Sequence, residues 1–131
     1  MSSTDLKSLS QQELFDRFVA LSTEMGEVYG SSTRLYKRYQ NQREHVLVEL
    51  DARGLATAAT FLPALRHENP WVRYGAARFC FKDAPEETLA VLKQLAGMTY
   101  HWLGPIAGMT LDSYAAGYRP TIKRHLLEKP E

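Results

Sequence analysis

The chain has 131 residues, a net charge of +1, 44% hydrophobic and 24% charged residues, which fits one globular domain with a real core and excludes a disordered tail or a fibrous repeat. The sixteen basic residues divide evenly, eight up to and including Arg66 and eight beyond it, so no strongly basic region marks nucleic acid as the expected partner. No cationic run followed by an apolar one opens the chain, and no segment approaches the roughly 18 apolar residues that span a bilayer, so a cytoplasmic protein without membrane association is expected.

Residues 1–9 are expected to be a flexible N-terminus. Ser10-Gln11-Gln12-Glu13 has the form of a capping box, in which the Ser hydroxyl and the Glu carboxylate satisfy orphan amides at a helix start. From there Leu14, Phe18, Leu21, Met25 and Val28 recur at spacings of four and three, one stripe of a helix, widened by Phe15 and Val19. Gly26 and Gly30-Ser31-Ser32 offer a stop and a new cap. A second, long helix is predicted from Thr33 to Arg53, closed by Gly54. Leu35, Tyr36, Tyr39, Val46, Leu47 and Leu50 fall on one side of it, and Arg34, Lys37, Arg38, Asn41 and His45 on the other. Arg43 falls amid the apolar face, where it either snorkels, meets a buried acid or projects into a groove.

Beyond Leu55 the helices shorten and proline punctuates them. Ala56–His67 and Trp71–Lys82 are predicted as a hairpin around Glu68-Asn69-Pro70, with Asn as cap and Pro at the first helical position. Asp83 to Glu87 opens a fifth helix with acids in its first turn, ending at Gly97 with Leu89, Leu92 and Leu95 inward. Gly104-Pro105 starts a sixth, carrying Ile106, Met109 and Tyr114 to about Gly117, and residues 121–131 are a polar tail. No strand pattern is present.

Leu62 and Leu65 map onto Leu92 and Leu95 about thirty residues on, close to the period of helix-pair solenoids. Pro63, Asn69-Pro70, Val72-Arg73 and the paired Ala76-Ala77 are the punctuation of a HEAT repeat. Together with Leu14, Phe18, Glu49-Leu50, Arg53-Gly54, Ala84-Pro85, Gly104-Pro105, Ala107 to Leu111, Gly117 and Pro120, these residues resemble a family of short bacterial HEAT-like domains of unknown function, over about residues 13–120. The resemblance implies an all-α superhelix of about six helices in a single domain over residues 10–120. It implies no activity. Trp71 and the Tyr100-His101-Trp102 run depart from the family pattern.

The four histidines, His45, His67, His101 and His125, have no metal-binding spacing, and no nucleophile elbow, phosphate loop or dinucleotide fingerprint occurs, so neither a catalytic residue nor a cofactor is expected. Glycines 104 to 108 read as close helix contacts. Cys80, the single cysteine, lies in the apolar run Arg78 to Phe81 and reads as a buried small side chain. His67 reads as a cap or packing residue. Arg73 and Arg78 either recognise an anion through the guanidinium fork or tie the turn to a neighbouring helix.

The expected binding residues are therefore Arg34, Lys37, Arg38 and His45 on an acid-free helix face, Arg73 after the turn, and the aromatic edge of Trp71, Tyr100, His101 and Trp102. Core packing is the competing reading for the aromatic residues, and a solvated face for the basic ones. The expected function is a non-catalytic protein-binding module. Its concrete version, by analogy, is a bacterial immunity protein that neutralises a toxin with an acidic surface. Two alternatives stand beside it. Some HEAT-like proteins are DNA glycosylases, which makes nucleic-acid binding or repair one alternative. Self-association through an uncapped terminal hairpin is the other.

Overall fold

The structure is a computed structural model that describes residues 3–98 and 102–118. Its described residues are helical, without strands, as seven segments: α1 (Ser3–Leu6), α2 (Gln11–Val28), α3 (Thr33–Ala52), α4 (Ala58–Leu65), α5 (Pro70–Cys80), α6 (Pro85–Ala96) and α7 (Leu103–Ala115). They fall into two compact units, divided between Ala56 and Thr57. The tail expected over residues 121–131 lies outside the described residues.

In the first unit α2 and α3 form a long antiparallel hairpin. The capping box is present: Ser10 Oγ accepts from the Glu13 amide at 3.1 Å, and the Ser10 amide donates to Glu13 Oε1 at 2.9 Å. Those hydrogen bonds, the backbone one first, hold the Glu13 carboxyl below the usual carboxylate range. Gly26 does not stop α2, which runs to Val28 with Tyr29 as its C-cap; Gly30 follows, with a φ of 84°, the left-handed conformation glycine adopts without cost. Leu14, Phe18 and Met25 of α2 and Val46, Leu47 and Leu50 of α3 are buried as these two helices pack.

Arg43 resolves inward. It is 7% exposed, its Nη1 donates to the buried Ser22 Oγ at 3.2 Å, and its guanidinium lies 5.9 Å from the centre of the Phe18 ring. Glu44 beside it is fully buried. The segment before Ser10 contains the helical turn α1. Leu6 is 2% exposed, and Arg53, already bonded to Glu49 at 2.8 Å, donates to the Leu6 and Lys7 carbonyls at 3.2 and 3.3 Å. That anchor satisfies carbonyls that a four-residue helix leaves open.

The second unit is a run of short helices. Asn69 Oδ1 accepts from the Trp71 and Val72 amides at 2.9 and 3.4 Å, Pro70 occupies the first helical position, and His67 Nδ1 accepts from the Asn69 amide at 3.0 Å. This turn folds α4 back on α5. Ala76 and Ala77 are buried, and Phe61 stacks on Phe79 with ring centres 4.3 Å apart. The second hairpin, α6 with α7, closes tightly at Gly104, where a Cβ would lie 2.6 Å from the Met98 carbonyl oxygen. Leu92, Leu95, Leu103, Ala107 and Tyr114 are buried between these helices and α5, whereas Met109 is 65% exposed. Gly108 has open space around its Cβ position and is no close contact.

Candidate functional site

At about 100° per residue, Arg34, Arg38 and His45 fall within 40° of one another around α3, and Lys37 lies beside them. Arg34, Lys37 and Arg38 are exposed, and none makes an ion pair with a described residue. Local helix energetics do not explain them. Arg34 stands in the first turn of α3, where the macrodipole favours an acid, and it sits four residues from Arg38, a like-charge spacing that costs about 0.2–0.5 kcal/mol. By contrast, α2 and α6 both carry acids in their first turns. Helix stability therefore gives no account of these cations, which makes them candidate contact residues.

This face leads into a cleft. Its volume is about 220 Å³, and it lies within the first unit where α1, α2 and α3 meet. Leu6, Ala20, Leu21 and Val46 form its apolar walls; Arg17, Gln42 and His45 supply polar atoms. Ala20 is exposed, and Leu21, Gln42 and His45 are half-buried. Gln42 follows Arg38 by one turn, which places Arg38 one turn from the opening and Arg34 one turn farther.

The other expected contact residues are dispersed. Trp71 is 3% exposed and packs edge-on against Tyr74, with ring centres 6.5 Å apart. A side chain enclosed in this way cannot be a contact residue, so the expectation for Trp71 is corrected: it belongs to the core of the second unit. Arg73 Nη1 donates to Gln94 Oε1 at 2.9 Å, a tie from α5 to α6. Trp102 opens α7 and is 67% exposed, with Met109 seven residues on along the same side of the helix. Tyr100 and His101 lie outside the described residues.

The structure also bears on chemistry. Among the described residues no three His, Cys, Asp or Glu side chains gather as a metal ion would require. Cys80 is buried, and burial pushes its thiol up to about 11, with the charge of Glu87 adding to the rise, so little reactive thiolate forms near neutral pH. No helix of the described residues is long and apolar enough to cross a membrane.

Arg17, Gln42 and the apolar walls of the cleft were not foreseen. They come from three helices, and only the placement of Leu6 in α1 joins them. No curated protein and no solved structure matches the chain significantly. A family model does match, over residues 12–114, and the chain belongs to that family, the domain of unknown function DUF2019.

Proposed function

We propose that this chain is a non-catalytic, cytoplasmic protein-binding module built of HEAT-like helical hairpins, and that the outer face of α3 engages an acidic protein surface. The observation that carries the reading is the set Arg34, Lys37 and Arg38: exposed, on one side of one helix and unpaired with any described residue, with Arg34 placed against the helix dipole. Exposed Trp102, in the second unit, is a separate candidate contact. A toxin neutralised by occlusion is the concrete partner we favour, because a rigid helical surface lined with cations suits rapid, electrostatically steered capture.

The test is capture of partners by the full chain from cells that make it, compared with the Arg34→Glu/Arg38→Glu double variant. An acidic partner bound at least about tenfold more weakly by the double variant is expected, while thermal unfolding of the two proteins stays nearly the same. Equal affinity of wild type and variant for the captured protein removes the basic face from the function. Titration with duplex DNA checks the competing reading: binding that falls steeply with salt and is lost in the double variant assigns the face to phosphates instead.

A further inference from the structure

Resting on that reading of α3, we infer that the cleft between α1, α2 and α3 is the anchor pocket of the same surface, and that it takes one large apolar side chain from an acidic segment of the partner. Size is the first argument. At about 220 Å³ the cleft is smaller than the roughly 300–1,000 Å³ of sites that enclose a whole small-molecule ligand. It is of the order needed for a single anchoring side chain, the usual centre of a protein interface.

Lining is the second argument. Leu6, Leu21 and Val46 offer apolar contact, and the half-buried His45 and Gln42 sit at the wall nearest the cations, so an apolar group can enter while its neighbours stay hydrated. Charge is the third. Between Ser31 and Arg43 the helix carries no acid, and Arg34, Lys37 and Arg38 continue the line of His45 away from the cleft. Glu49, four residues past His45, is bonded to Arg53 and does not neutralise them. A segment with one aromatic or branched aliphatic residue flanked by Asp or Glu complements both halves at once.

The experiment is selection of a random dodecapeptide display library on the full chain, with three variants as counter-targets: Ala20→Phe and Gln42→Tyr, which fill the cleft from opposite walls, and Arg34→Glu/Arg38→Glu. Ala20 is exposed, so its replacement leaves the core intact, and a thermal melt of each variant checks this. Enriched peptides should share one large apolar residue flanked by acids. Synthetic copies should lose about tenfold or more in affinity when that residue becomes Ala, and a similar amount on either cleft-filling variant. Acidic peptides without a shared apolar residue, bound equally by wild type and Ala20→Phe, overturn the anchor pocket and leave the basic face standing. Absence of enrichment, or enrichment without acids, overturns both. Self-association in light scattering that Ala20→Phe abolishes also overturns the inference, since the occupant is then a second copy of the chain.

Discussion

In the unit beginning at Thr57 the described arginines are occupied: Arg66 makes two hydrogen bonds of 2.8 and 2.9 Å to Glu87, Arg73 reaches Gln94, and Arg78 lies 5.1 Å from the centre of the Phe79 ring. In the unit ending at Ala56, Arg43 is committed inward and Arg53 holds α1, yet Arg34 and Arg38 of the same helix face solvent with Lys37. Arginine's presence on a helix therefore says little about binding. What separates the two regions is the supply of partners: α6 brings Glu87 and Gln94 opposite α4 and α5, whereas the cations in the first turns of α3 form no ion pair with a described residue.

The largest expected effect would break the comparison if it failed. Trp71→Ala empties a site that is 3% exposed in the second unit, and a loss of about 3–5 kcal/mol is expected, while Arg34→Ala stays within about 0.5 kcal/mol. Urea unfolding of the two variants measures both. A small loss at Trp71 would return it to the surface and restore the aromatic edge as a binding element.

Much of this division was legible in the sequence, for reasons that differ by residue. Ser10 to Glu13, Asn69-Pro70 and Pro85 mark helix starts because their side chains or rings satisfy local backbone needs, and local needs are written locally. The basic face of α3 was legible for the same reason, since charge spacing along one helix needs no tertiary knowledge. Trp71 stands beside a turn, which suggests an exposed edge, but its register tells the other way: it precedes buried Gly75 by four residues, one helical turn along the same inward side. The direction of Arg43 depends on Ser22 and Phe18 of another helix, and the cleft exists only once Leu6 is set against α2 and α3. Such features are properties of packing, and no single stretch of chain contains them.

A smaller effect sharpens the account of the second unit's interior. The Cys80 thiol is raised from an ordinary 9.0 to about 11, so the folded chain holds its proton more tightly than the unfolded chain does. Its contribution is complete below the unfolded value and disappears as pH rises through the folded one. Stability should thus fall by roughly 2–3 kcal/mol between about pH 9 and pH 11 on account of this group. Denaturant titrations of wild type and Cys80→Ala across that interval isolate it from lysine and tyrosine titration. Parallel pH dependences in the two proteins would mean that the thiol is solvated.

The smallest effect tests the meaning of an occupied arginine. Hydrogen bonding to Arg66 holds the Glu87 carboxyl below the usual range, and the same bond raises the Arg66 guanidinium. Because the folded value of Glu87 is the lower one, the pair stabilises the fold above the ordinary carboxylate range and stops doing so as pH falls through the lowered value. The Arg66 side chain is 62% exposed, so water and salt screen most of the attraction, and a double-mutant cycle with Arg66→Ala and Glu87→Ala should give a slight coupling that shrinks further in high salt. Partner binding through α3 should respond to salt far more strongly, because several unpaired cations act together there. If the coupling at Arg66 and Glu87 proved large and salt-insensitive, occupied arginines would be structural determinants of the second unit; a slight one leaves them as pairs formed because an acid was near, and makes the lack of any ion pair from Arg34, Lys37 and Arg38 to the described residues the informative feature of the first unit.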